Sequence, residues 1–130
     1  MLTIPQPLRA AILVHLRTGA PNEACGILAG KGDVVSQVFT APNADNSPST
    51  YSIAPAELLR ILNALDSAGL DLLASFHSHL ASRAYPSPTD VYNAGWPDLR
   101  YVIVSLATQP PEMRVYRIEN DVISEEQLDD

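Results

Sequence analysis

Leu70-Asp71-Leu72-Leu73-Ala74-Ser75-Phe76, followed at once by His77-Ser78-His79, sets the architecture of this 130-residue chain. The run from Leu70 to Phe76 is nearly all apolar and too short for a helix of that hydrophobicity. It therefore predicts a central strand with cover on both faces of a sheet. In an extended chain residues i and i+2 share a face, so His77 and His79 project together while Ser78 turns away. Two neutral imidazoles so placed can converge on one metal ion, with bonds of about 2.0–2.1 Å for zinc. Taken alone, His-x-His is a weak signal, because two polar side chains at a strand end are as readily solvated.

Upstream of this strand, Pro55 opens a helix in which Leu58, Ile61, Leu62 and Leu65 form an i, i+3, i+4, i+7 stripe, and Gly69 ends it. Nearer the start, Leu8, Ile12, Leu13 and Leu16 give a first helix from about Pro7 to Thr18. Cys25-Gly-Ile-Leu-Ala-Gly30 reads as a buried strand, joined through Lys31-Gly32-Asp33 to a second strand over Val34–Thr40. Asn43 to Thr50 is a polar loop. Downstream, Ser87 caps a short helix running to about Ala94. Arg100 to Ala107 is a buried strand, Met113 to Ile118 alternates as a half-exposed one, and Val122-Ile123 adds an edge. Eight of the eleven prolines gather around 42–55, 86–97 and 110–111, marking loops between elements. The sum is a single α/β (α+β) domain: a mixed sheet of about six strands, two main helices and a short third one.

Composition narrows the function. An apolar share of 46% is that of an ordinary globular protein. No apolar stretch of about 18 residues spans a membrane, and the first residues lack a signal peptide's pattern, so a cytoplasmic protein is expected. Cys25 stands alone, so no internal disulfide can form. The net charge of −7 belongs mostly to the end of the chain, where six acids and no base follow from Glu119 onward. The rest holds nine acids against eight bases, and no Lys/Arg stripe favours nucleic acid. The domain is accordingly expected over 1–118. Residues 119–130 are expected as an acidic, solubilising tail with at most one edge strand before it loses order.

Two further stretches bear on the His pair. Ser87-Pro88-Thr89-Asp90 is a well-formed helix start, with serine as cap, proline first and aspartate third. That role is compatible with a second one, because a helix start aims a carboxylate rigidly. Residues 80–86 suffice to bring Asp90 back over the strand end as a third ligand. Three protein ligands with an open fourth place describe a catalytic rather than a structural zinc site. Glu23, just before a buried strand, would ordinarily be a solvated turn residue, yet the site offers no other base. Cys25 beside Gly26-Ile27-Leu28 reads as a small buried apolar residue. His15 reads as a packed or solvated helix residue, and Trp96 in Gly95-Trp96-Pro97 as an aromatic capping the core.

Glu23, then His77-Ser78-His79, seven residues, and Ser87-x-x-Asp90 together resemble the signature of the JAMM (MPN+) zinc metalloprotease family in its minimal prokaryotic form. Glu23-Ala-Cys-Gly-Ile-Leu-Ala-Gly30 is similar to that family's glutamate-bearing strand. The resemblance runs from about Leu2 to Ile118 and implies a layering like that of the cytidine deaminases. It implies zinc on His77, His79 and Asp90, Glu23 as general acid/base on the water, and Ser87 stabilising the oxyanion. It also implies hydrolysis after the C-terminal Gly-Gly of a ubiquitin-like protein. The loops at 41–54 and between Asp90 and Arg100 are short where ubiquitin-specific members carry insertions, so a sulfur-carrier protein is the expected partner. Candidate segments for holding an extended tail are Val34–Thr40, Tyr51-Ser52-Ile53 and the loop Leu80–Pro86. One departure is Leu80, where the family usually has proline, and a more mobile loop is expected there.

Other readings remain open from sequence. A zinc hydrolase of cell-wall peptides or other amides would share the site. A nonenzymatic binding module would keep the sheet without metal. A zinc deaminase is disfavoured because its His-x-Glu and Cys-x-x-Cys pieces are absent. A cysteine hydrolase would need Cys25 to be reactive.

Overall fold

The strand built on the Leu70–Phe76 run is β4 (Asp71–His79), buried from Leu73 onward, in a computed structural model that describes residues 1–96 and 98–130. Pro97, the last residue of the expected Gly95-Trp96-Pro97 turn, lies outside the described residues. On one side β4 pairs antiparallel with β2 (Cys25–Lys31), placing Cys25 opposite His77. On the other it pairs parallel with β5 (Arg100–Ser105), placing Ile103 beside His77. A parallel neighbour needs a crossover, and the connection through α3 (Pro88–Asn93) supplies it.

The hairpin partner of β2 is β3 (Val34–Ala41), and Gly32 in the turn adopts φ +59°, a conformation that favours glycine. Beyond β5 lie β6 (Glu112–Glu119) and β7 (Val122–Glu126), both antiparallel. Two-residue strands β1 (Leu2–Thr3) and β8 (Leu128–Asp129) complete an eight-stranded sheet in the order β7-β6-β5-β4-β2-β3-β1-β8. Eight strands replace the expected six. The additional pieces are too short to carry a period, and each is fixed by a partner from the opposite end of the chain.

Helix α1 (Gln6–Gly19) lays Ile12 and Leu16 on one face of the sheet, against Leu28, Ala74, Phe76 and Val102. Helix α2 (Pro55–Ser67) lays Ile61 and Leu65 on the other, against Cys25, Ile27 and Ala29. Each such side chain contributes roughly 1.5–3 kcal/mol when fully buried. β4 is thus covered on both faces, as its unbroken hydrophobicity requires. Gly26 lets the layers close: a Cβ there would lie 2.3 Å from the Phe39 carbonyl oxygen and 2.4 Å from the Phe76 ring.

The acidic end does not lose order as the sequence suggested. β7 and β8 sit at opposite ends of the strand order with only Gln127 between them. Glu126 is the anchor, meeting Arg100 at 3.2 Å, Arg117 at 2.5 Å and the Met1 amine at 2.9 Å, while Glu125 meets Arg114 at 2.8 Å. The acids at the end of the chain therefore neutralise arginines on β5 and β6 rather than forming a free solubilising tail. Among the described residues no helix is long and apolar enough to cross a membrane.

Candidate active site

Alternation along β4 puts His77 and His79 on one face, as expected, and both are buried. Ser78 turns away and takes a role the sequence did not disclose. Its hydroxyl accepts from the Ala24 N–H at 3.0 Å, and its own N–H donates to the Ala24 carbonyl at 3.0 Å. The end of β4 is thereby tied to the residue following Glu23. Asn43 ties Glu23 from the other side, its Nδ2 donating to the Glu23 carbonyl at 2.9 Å, while the Glu23 N–H donates to the Ser47 carbonyl at 2.9 Å.

Asp90 arrives on α3 through a complete capping box. Ser87 Oγ accepts from the Asp90 N–H at 3.1 Å, and the Ser87 N–H donates to Asp90 Oδ2 at 2.9 Å. The same Oδ2 lies 3.2 Å from His77 Nε2 and 3.0 Å from His79 Nε2, and the two Nε2 atoms are 3.2 Å apart. Around a tetrahedral zinc with bonds of about 2.0–2.1 Å, donor atoms are about 3.3 Å from one another. The triangle observed is close to one face of such a tetrahedron. His79 Nδ1 faces the Arg83 carbonyl at 3.0 Å and must be the donor there, so in the neutral ring Nε2 carries the lone pair. A lone pair opposite a carboxylate oxygen at 3.0 Å is an arrangement that a cation between them relieves. By donor chemistry and spacing, the residues fit a metal ion.

Burial pushes the His77 imidazolium down and holds that ring neutral. The same burial acts on His79, but its bonds to Asp90 and Arg83 outweigh it and raise the ring. Burial also disfavours the Asp90 anion, yet the two histidine rings against Oδ2 and the Ser87 N–H hold its carboxyl well below the usual range. Glu23 behaves oppositely. Burial lifts its carboxyl to about 7, moderated by His79 and reinforced by Asp90. The carboxyls of Glu23 and Asp90 are thus driven apart, one upward and one downward.

Loop 80–86, which begins at Leu80, is tied to the sheet through its backbone. Three consecutive carbonyls are taken by side chains: Ser82 by Ser105 Oγ at 2.6 Å, Arg83 by His79, and Ala84 by the Tyr116 hydroxyl. Cys25 is fully buried and its thiol is pushed up to about 12 by burial, which disfavours the thiolate that a nucleophile needs. His15 packs edge-on to Phe76 and bonds the Cys25 carbonyl at 2.9 Å, a structural role as expected.

Beside Asp90 a cleft of about 330 Å³ opens between α2 and α3, walled by Tyr51, Ile53, Leu58, Leu72, Trp96 and Tyr101. Trp96 therefore lines the cleft at 44% exposure instead of capping the core. Of the three candidate tail-holding segments, Tyr51-Ser52-Ile53 lies at this cleft. Asn43 and Ser78 had one sequence signal between them, the Asn43-Ala44-Asp45 pattern of an Asx turn, in which the Asp45 N–H reaches Asn43 Oδ1 at 2.9 Å.

Residues 5–119 match the family described as prokaryotic homologs of the JAB domain. The chain is 39% identical over 131 residues to the CysO-cysteine peptidase of Mycobacterium tuberculosis, covering 97% of this chain and 88% of that protein. It is 39% identical over 111 residues to the desampylase of Haloferax volcanii, covering 80% of each. Its fold is similar to the solution structure of protein DSY2949 from Desulfitobacterium hafniense, with a TM-score of 0.91, 38% identity, and coverage of 98% and 91%. With family, fold and relatives in agreement, the chain belongs to the prokaryotic JAB-domain proteins, the minimal JAMM type, and is a protease.

Proposed function

We propose that the chain is a zinc peptidase that cuts the amide bond after the C-terminal Gly-Gly of a ubiquitin-like, sulfur-carrier type of protein. One observation carries the reading. Ligand atoms of His77, His79 and Asp90 converge within 4.8 Å of one another, at the end of β4 that is tied to the residue following the buried Glu23. The names of the CysO-cysteine peptidase and the desampylase support the substrate class.

His77, His79 and Asp90 would hold zinc, which when bound polarises the scissile carbonyl and acidifies water. Glu23, ionised, takes a proton from the attacking water and returns it to the departing amine, a task suited to a carboxyl near 7. Ser87 Oγ already accepts from the Asp90 N–H, so its hydroxyl proton is free to bond the oxyanion as charge develops. Tyr51-Ser52-Ile53 and the apolar cleft wall hold the extended tail.

The test is cleavage of a carrier protein fused through its Gly-Gly to a reporter peptide. Zinc-loaded wild type is expected to release the reporter. A chelator or Glu23→Gln stops release, and Cys25→Ala does not. If loaded wild type spares the fusion but hydrolyses muropeptide-like amides, the carrier substrate is wrong and another zinc amidase stands in its place.

A further inference from the structure

Metal-ligating histidines are ordinarily oriented by a hydrogen bond from the second ring nitrogen to a carbonyl or carboxylate. His79 has that bond, to Arg83. His77 does not: its Nδ1 is buried and has no hydrogen-bond partner among the described residues. What holds His77 is a ring face. Tyr51 stacks on it with centroids 4.2 Å apart and planes 22° from parallel.

Tyr51 is itself firmly placed. Asn43 Nδ2 donates to the Thr50 carbonyl at 2.9 Å, and Asn43 Oδ1 accepts from the Ser52 N–H at 3.2 Å. The Ser52 carbonyl accepts from the Ala44 N–H at 2.9 Å. The backbone on both sides of the tyrosine is thus bolted to one asparagine, which also grips the Glu23 carbonyl. Ile53 and Tyr51 both pack against the α2-side core, so the ring cannot swing away without opening that cluster.

We propose that Tyr51 is a positioning residue for the metal site, its stacked ring orienting His77 in place of the missing hydrogen bond. An imidazole that binds a cation becomes partly positive, and the electron-rich face of a phenol attracts it more strongly than a neutral ring. The stacking therefore favours the metal-bound state over the free one and contributes to affinity. Steric support alone would act equally on both states.

This inference rests on the zinc reading above and is tested without substrate. Zinc affinity is measured by competition with a chromogenic chelator for wild type, Tyr51→Phe and Tyr51→Leu, and absorption spectra are taken of the cobalt-substituted proteins. Tyr51→Phe keeps the ring and is expected to match wild type in affinity and in spectrum. Tyr51→Leu is expected to bind zinc about 10- to 100-fold more weakly, the range seen when the partner of a metal-ligating histidine is removed, with altered cobalt bands. Should Tyr51→Leu not fold, Tyr51→Met carries the same expectation. Wild-type affinity in the aliphatic variants overturns the proposal. Equal losses in Tyr51→Phe and Tyr51→Leu overturn it also, because the hydroxyl and not the stacked face would then matter. A wild type that binds no zinc at all sinks the zinc reading instead.

Discussion

The Tyr116 hydroxyl on β6 donates to the carbonyl of Ala84, one residue past the carbonyl that orients His79. A side chain two strands away from the histidines thus fixes the loop on which one of them depends. Tyr116→Phe leaves that carbonyl buried without its donor, and the expected loss of stability is roughly 1–3 kcal/mol. Urea unfolding measures it, and a change within about 0.3 kcal/mol would mean that water replaces the hydroxyl.

Asp90 serves both the capping box and the candidate metal triangle. Asp90→Asn preserves an oxygen for the Ser87 N–H but removes the charge. Zinc content by plasma mass spectrometry is expected at about one per chain in wild type and sharply reduced in Asp90→Asn and Asp90→Ala. Equal zinc in all three would place the metal elsewhere.

Glu23 gives a pH signature in the metal-free protein. Burial raises its carboxyl from 4.5 to about 7, so the folded state holds the proton more tightly than the unfolded chain does. Its contribution is fully present below about pH 4.5 and is lost as pH rises through about 7. The stability of wild type relative to Glu23→Gln should therefore fall between those values and level off above them. A flat difference across that window would mean that Glu23 is solvated in solution.

Trp96 projects into the cleft beside Asp90 while almost half exposed. Trp96→Ala is expected to raise KM for a Gly-Gly-linked conjugate by roughly tenfold, with kcat and thermal stability little changed. Steady-state kinetics decide it. A fall in kcat at constant KM would assign the ring to the chemical step.

Removal of residues 122–130 takes away β7, β8 and Glu126, the carboxylate that Arg100 and Arg117 share. The truncated chain is expected to unfold at 37 °C, or at least to melt well below wild type by circular dichroism. A disordered tail would be dispensable.

Much of this was legible in sequence because it repeats or clusters. The stripes of α1 and α2 and the apolar runs of β4 and β5 declare themselves by period and length. His77, His79 and Asp90 stand in two short segments whose geometry follows from a strand end and a helix cap. What stayed hidden works through backbone atoms. Ser78, Asn43, Ser105 and Tyr116 all act on main-chain groups, which every residue carries, so no pattern of side chains announces the partner. The ordering of the acidic end was hidden for a related reason. The arginines that pair with its carboxylates lie up to 26 residues upstream, and charge counted along the chain cannot see them.

The placement of β8 against β1 also bears on how the protein is made. Leu2 pairs with Leu128 and Thr3 with Asp129, so β1 has nothing to receive on that side until β8 is synthesised. The β2–β3 hairpin, with its short loop, can form early, whereas closure joins residues more than 120 positions apart. A nascent chain halted before β8 would carry β4 already translated but β1 unpaired on that side, exposed to chaperones or to another copy of itself.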